Sequence, residues 1–149
     1  MRTVKIRHAD TYDATWMLEQ LRGLDGIYKA KKSMFGDTNK ALANLHLMID
    51  QHVAFVAERD NESLGFIAGF VGPHPYNNNI RVLTETFWWV VPEHRASRAA
   101  VLLFNAFVSW GRENVDWISM TLLTGTPANP DALTRRGFKE VETSYLMEI

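Results

Sequence analysis

One stretch, residues 84–110, limits the fold most strongly because it reads in succession as a strand, a tight turn and a long helix. Its first part is aromatic and β-branched, and Pro92 ends the strand because proline has no N–H to donate to a sheet ladder. The helix is indicated by an apolar stripe at helical spacing, formed by Ala100, Leu103, Phe104, Phe107 and Val108. The sequence therefore predicts a buried strand–turn–helix unit around which the rest of the chain packs.

The turn inside this unit is a candidate anion site. Free backbone N–H groups and the helix dipole favour an anion at a helix start, and Arg95 and Arg98 can add charge-assisted contacts to phosphate. An ordinary strand–turn–helix unit with two solvated arginines accounts for the same residues, and most such units bind nothing. The residues alone leave both interpretations open.

Composition excludes several classes of protein. The 149 residues, 46% of them hydrophobic, predict a single domain spanning 1–149 with a sizeable core. A net charge of −1 disfavours nucleic-acid and membrane binding, and the lack of cysteine excludes disulfides, thiolate metal sites and a cysteine nucleophile. No metal site is expected, since His46 and His52 are six residues apart and do not share a helix face. Without an apolar run of bilayer length or a signal-like N-terminus, a cytoplasmic protein is expected.

The remaining patterns predict the element order β-α-α-β-β-β-α-β-α-β-β. The strand at 4–8 is followed by helices ending near 24 and covering 39–51, then by a hairpin of strands 53–57 and 64–71. A long turn at 72–79 precedes the central strand. Beyond the long helix, the patterns predict a strand at 117–123, a turn at 125–128, a short helix at 130–136 and closing strands at 138–141 and 145–149.

Glu85 is a candidate general base. It lies on the central strand among Leu83, Phe87 and Trp88, where burial of a carboxylate raises its pKa towards neutrality. A general base working near neutral pH needs such a pKa. A solvent-facing or edge position is the alternative, because a one-residue slip in register turns the side chain to the other face.

Two motifs resemble those of the GNAT superfamily of acyl-CoA-dependent N-acyltransferases. In that family a strand ending in hydrophobic-Val-x-Pro-Glu-x precedes Arg/Gln-x-x-Gly-x-Gly/Ala and a long helix; here the run is VVPEH followed by RASRAA. Arg95 and Ala100 fit this pattern, whereas Arg98 stands where the family usually has glycine. The Arg-x-Ser-Arg-Ala form is also similar to loops of GNAT-like phage proteins, where an arginine contacts phosphate, and this indicates a phage or bacterial variant.

The second motif lies near the C-terminus. GNAT proteins have Asn-x-x-Ala before a helix that ends in Gly-Phe, and this chain has Asn129 and Ala132, then Gly137-Phe138. Asn129 is expected to touch the pantetheine arm of the coenzyme, although capping the helix is a sufficient role for it. Leu133 replaces the family's usual tyrosine, which protonates the leaving thiolate. The general acid is therefore unassigned, with Tyr28, Tyr76, Tyr145 and water as candidates.

The resemblance implies an α/β GNAT fold with a mixed, mostly antiparallel central sheet flanked by helices. It implies an N-acetyltransferase that moves an acetyl group from acetyl-CoA to a primary amine by direct attack, with Glu85 as base. The coenzyme-binding residues that it implies are Trp89, Val90, Val91, Arg95, Ala96, Ser97, Arg98, Ala99, Ala100 and Asn129.

The acceptor stays open between a small amine and a protein lysine, and a homodimer is compatible with the family. Segments 27–37 and 72–79 would surround the acceptor, with Tyr28, Met34, Phe35, His74 and Tyr76 as wall candidates. The alternative function is a non-catalytic GNAT-fold module that binds coenzyme A or a protein partner. The residues at positions 98 and 133 favour that alternative, whereas Arg95, Asn129 and Glu85 favour the enzyme.

Overall fold

The computed structural model describes residues 3–124 and 128–149, so the predicted turn at 125–128 lies almost wholly outside the described residues. Its strands are β1 (Lys5–His8), β2 (Val53–Arg59), β3 (Glu62–His74), β4 (Asn77–Val90) and β5 (Trp117–Ser119). Its helices are α1 (Ala14–Leu21), α2 (Leu24–Tyr28), α3 (Thr38–Gln51), α4 (Ala99–Asn114) and α5 (Pro130–Arg135), with 3₁₀ turns at Thr11–Asp13 and Pro92–His94.

The sheet has the order β1-β2-β3-β4-β5. The first four strands pair antiparallel, and β5 joins β4 in parallel after the crossover through α4. This topology confirms the predicted mixed, mostly antiparallel sheet.

Helices cover both faces of the sheet. One apolar cluster joins α1 and α3 to one face, with Met17, Leu45 and Phe66 fully buried or nearly so. The other joins α4 to the opposite face around Leu103 and Phe107. Burial from both sides explains why β2 and β3 are continuous apolar runs rather than alternating ones.

Helix starts follow the expected capping chemistry. The Asp37 carboxylate accepts a hydrogen bond from Lys40 N at 3.0 Å and caps α3. Asn129 Oδ1 accepts one from Asp131 N at 2.9 Å and caps α5. Among the described residues, no helix is both long enough and apolar enough to cross a bilayer.

Three predictions about the sheet differ from the structure. The long turn at 72–79 is instead the end of a tight hairpin, because β3 continues to His74 and β4 starts at Asn77. Backbone pairing extends through polar, exposed residues there, since a ladder between adjoining strands needs no apolar side chain to form. The predicted closing strands at 138–141 and 145–149 are absent, and the strand at 117–123 shortens to Trp117–Ser119. Because β5 pairs over only three residues, it offers a following strand little edge to pair with.

Candidate functional site

The divergence of β4 from β5 opens the sheet beside Glu85. The two strands pair only at Val82, Leu83 and Thr84, after which β4 continues alone on that side to Val90. Unpaired strand groups need other partners, and the Val90 carbonyl accepts a hydrogen bond from Arg95 Nε at 3.0 Å. Glu85 is therefore the first residue of β4 beyond the paired segment.

A bulge at Glu85 changes the faces on which the following side chains lie. Ala68 pairs with Phe87 but Gly69 pairs with Glu85, so Thr86 is an extra residue in β4. Before the bulge, Leu83 packs on the α4 side; after it, Phe87 packs on the side of α1 and α3. Bulges of this kind redirect side chains and are common next to active sites.

Gly69 permits the close approach of β3 and β4 at the bulge. A Cβ at this position would collide with the carbonyl oxygen of Thr84 and would also meet the ring of Phe107. The backbone contact cannot be relieved by a side-chain movement. Glycine is therefore required where the two strands carry Glu85.

Glu85 has the environment of a perturbed carboxyl group. Its side chain is buried, with 6% of the residue exposed, and burial raises its pKa from 4.5 to about 7. A hydrogen bond from Thr121 N to Oε2, at 3.3 Å, acts weakly in the opposite direction. The predicted burial and raised pKa are thus present, and a carboxyl group with this pKa can exchange a proton near neutral pH.

The loop after β4 leads directly into the first turn of α4. Arg98 is the N-cap residue, with φ −82° and ψ 5°, so the backbone at the usual glycine position does not need glycine's conformational freedom. Ser97 Oγ donates to the His94 carbonyl and accepts from Ala99 N at 3.2 Å. The first intrahelical bond runs from Leu102 N to Arg98 O, so the earlier N–H groups of α4 have no partner within the helix.

The predicted coenzyme-binding residues lie in this loop, at the end of β4 and at the start of α4, and Asn129 caps α5. Arg95 and Arg98 are exposed, and the Arg95 guanidinium also lies 4.7 Å from the Trp89 ring centre. Val91 N–H donates to Leu64 O at 2.8 Å, whereas Val90 presents its carbonyl to Arg95. The loop therefore places two cations next to a helix start, the combination that favours phosphate.

A narrow cleft between β4, α4 and α5 adjoins the loop and contains Asn129. Its lining residues are Trp88, Val101, Phe104, Asn129, Ala132, Leu133 and Arg136. The Trp88 indole Nε1 is buried and has no hydrogen-bond partner among residues 3–124 and 128–149. Arg136 lies over the Phe104 ring at 5.3 Å. An apolar floor beside the Asn129 amide and the Arg136 guanidinium fits a long ligand that carries apolar, amide and phosphate groups, such as coenzyme A.

A second cleft, of about 300 Å³, lies between α2, the segment after β5 and the end of the chain. Its lining residues are Ile27, Tyr28, Leu123, Thr124, Leu146 and Glu148. Thr121, which hydrogen-bonds Glu85, precedes Leu123 by two residues, so one short segment links the buried carboxyl group to this cleft.

Of the predicted acceptor-wall residues, Tyr28 alone lines this cleft. Met34 is partly exposed elsewhere and Phe35 is buried in the core with α1 and α3. His74 and Tyr76 lie at the hairpin tip, five residues along β3 from Gly69, which is about 17 Å. Tyr145 is 93% exposed. Of the three tyrosines considered as general acids, Tyr28 is thus the one placed in a cleft.

Three residues that line the two clefts were not predicted from the sequence, namely Trp88, Arg136 and Glu148. Trp88 reads as one more apolar strand residue, and its missing partner becomes visible only after the strands and helices pack. No group of three or more histidine, aspartate or glutamate side chains able to hold a metal is found in the described part of the chain.

Comparison with known proteins places the chain in a family. The sequence profile of the Acetyltransferase (GNAT) family matches residues 18–138. A search of curated proteins finds no significant match.

Solved structures with the same fold align over almost the whole chain. A predicted acetyltransferase with acetyl-CoA from Clostridium acetobutylicum is 16% identical, with a TM-score of 0.73, and the alignment covers 98% of this chain and 96% of that one. A transcriptional regulator from Bacillus halodurans C-125 is 16% identical, with a TM-score of 0.76 and coverage of 99% and 100%. A ribosomal-protein-alanine N-acetyltransferase from Brucella melitensis biovar Abortus 2308 is 16% identical, with a TM-score of 0.68 and coverage of 99% of both chains. These structures share the fold, and the match of the family profile to residues 18–138 shows that this chain belongs to the GNAT acetyltransferase family.

Proposed function

We propose that the protein transfers an acetyl group from acetyl-CoA to a primary amine by direct attack, with Glu85 as the general base. The observation that carries this proposal is the buried Glu85 carboxyl group, with a pKa of about 7, at the point where β4 and β5 separate. Membership of the acetyltransferase family supplies the reaction type.

Coenzyme binding is assigned to the loop and the narrow cleft. Arg95, Arg98 and the first-turn N–H groups of α4 would hold the phosphates, and Asn129 and the Trp88 ring would meet the pantetheine arm. The coenzyme supplies an acetyl group activated as a thioester.

Glu85 would receive the proton that the amine loses. The neutral amine nitrogen forms a bond to the acetyl carbon and then loses its second proton. The carbon–sulfur bond breaks, and the leaving thiolate takes up that proton by way of Tyr28 or water. An alkylammonium with a pKa near 10 loses its proton to a carboxylate of pKa about 7 at a cost of about 4 kcal/mol, against about 8 for an ordinary glutamate. Burial of Glu85 therefore lowers the free energy required to deprotonate the acceptor amine by about 3 to 4 kcal/mol.

Release of free thiol from acetyl-CoA, in the presence of a panel of primary amines, tests this function. The chain has no cysteine, so a thiol reagent reports coenzyme A alone. The Glu85→Gln variant should lose about 10²- to 10⁴-fold in kcat/KM while its calorimetric affinity for acetyl-CoA is unchanged. Glu19→Gln, at an exposed position on α1, is the matched control. Wild-type rates in Glu85→Gln would refute the assignment of the base.

A non-catalytic module that binds coenzyme A is the second candidate. The observation that favours it is Leu133, which lines the coenzyme cleft at the position of the family's usual tyrosine and has no proton to give. Tight acetyl-CoA binding without thiol release for any amine would support this candidate over the enzyme.

A further inference from the structure

A carboxylate near the end of the chain binds the loop after α2. Residues 139–149 form neither helix nor strand, and all of them are exposed. Both oxygens of Glu148 accept from the backbone N–H of Lys31, at 3.0 Å and 2.8 Å. This contact joins the C-terminal segment to a loop more than a hundred residues earlier in the chain.

The segment around Glu148 borders the second cleft. Leu146 and Glu148 line this cleft, and the neighbouring Tyr145, Met147 and Ile149 are 93%, 81% and 111% exposed, compared with 69% for Leu146. The segment therefore forms a wall of the cleft, and the carboxylate at its end fixes where that wall stands.

The loop that contains Lys31 is stabilised by the end of α2 and by hydrogen bonds to Asp25. Helix α2 ends at Tyr28, and its C-cap residue Lys29, with φ 53°, turns the chain. The Asp25 carboxylate then accepts from Ser33 Oγ and from Met34 N. Lys31 lies between the C-cap residue Lys29 and the hydrogen-bonded pair Ser33 and Met34. Its N–H is therefore held in place where the C-terminal segment can bind it.

We propose that Glu148 is a positioning residue that latches the C-terminal segment to Lys31 and so forms the cleft that receives the acceptor amine. Three apolar side chains line this cleft, from Ile27, Leu123 and Leu146, beside the phenol of Tyr28. The acceptor class that fits is a primary amine carried on an aliphatic or aromatic body. The inference rests on the proposed acetyl transfer and adds to it the acceptor class and the residue that shapes its site.

The latch itself is tested without any ligand. Hydrogen–deuterium exchange at the Lys31 amide should be roughly tenfold faster in Glu148→Ala than in the wild type, because the charge-assisted bond is lost. Glu148→Gln keeps an acceptor oxygen and should give an intermediate rate. Glu142→Gln, which removes an exposed carboxylate from the same segment, is the control and should not change the rate. Unchanged exchange at Lys31 in Glu148→Ala would overturn the latch.

The consequence for catalysis is tested with tyramine as the amine. Glu148→Ala should raise the KM for tyramine roughly tenfold, with partial rescue in Glu148→Gln, while the KM for acetyl-CoA stays within twofold. A merely structural role would lower the melting temperature without a selective effect on the tyramine KM, and that result would overturn the proposal. If tyramine is not acetylated although other amines are, the acceptor class is wrong. If no amine is acetylated, the proposed function fails, and the exchange experiment still decides the latch.

Discussion

Replacing Glu85 with glutamine should change how the stability of the protein depends on pH. In the unfolded chain this carboxyl group ionises near its ordinary pKa of 4.5, whereas burial raises the folded-state pKa to about 7. Between these two values the folded protein binds the proton more tightly than the unfolded chain does. Stability must therefore fall as pH rises through this window.

The size of the effect follows from the two pKa values. At about 1.4 kcal/mol per pKa unit, ionisation of the buried group costs the folded state about 3 kcal/mol, and the loss is complete above pH 7. Glutamine has nearly the same shape, keeps an oxygen for the Thr121 N–H and never ionises. The free energy of unfolding of Glu85→Gln, relative to wild type, should accordingly rise by about 3 kcal/mol between pH 4.5 and pH 8.

Urea denaturation of both proteins at half-unit pH steps measures this difference directly, since every other titrating group cancels in the comparison. Parallel stability curves for the two proteins would refute the reasoning. They would show that Glu85 ionises in the folded state at its ordinary pKa and is solvated rather than buried.

Three further outcomes follow from the same structure. The kcat/KM for acetyl transfer should rise with pH to a plateau above about pH 7, since Glu85 must be ionised to act as base, and Glu85→Gln should lose this step in a pH–rate profile. Trp88→Phe should weaken acetyl-CoA binding about fivefold in calorimetry, because it removes part of the ring that lines the narrow cleft; unchanged affinity would show that Trp88 does not contact the coenzyme. Gly69→Ala should destabilise the protein by about 1 to 3 kcal/mol in thermal denaturation, because its Cβ meets the Thr84 carbonyl, whereas Gly72→Ala, which has open space around it, should change stability by less than about 0.5 kcal/mol; equal effects would contradict the bulge geometry.

The strand–turn–helix unit was predictable because its signals are local. Pro92 ends the strand region, the apolar stripe of α4 has helical spacing, and both features appear where the sequence indicates them. The burial of Glu85 was predictable from its apolar neighbours. The face of the sheet on which Glu85 lies was not predictable, because the bulge at Thr86 depends on which residue of β3 lies opposite. A single sequence does not reveal that pairing.

The C-terminal segment shows the limit of periodicity as a signal. Residues 138–149 have strand-forming residues, yet no strand forms there, because pairing depends on the length of edge that β5 offers. The contact between Glu148 and Lys31 joins positions more than a hundred residues apart, and neither residue has a local pattern that indicates the other. The clefts were beyond sequence reasoning for the same reason, since each is formed by side chains from three separate segments.

Calorimetric titration of the purified protein with acetyl-CoA, alongside free coenzyme A, measures whether the loop between β4 and α4 binds the coenzyme. We expect saturable binding that is lost in Arg95→Glu, since this change reverses the charge beside the start of α4. No binding at millimolar acetyl-CoA would contradict coenzyme binding by this loop. It would mean that Arg98, where the family usually has glycine, closes the loop to phosphate.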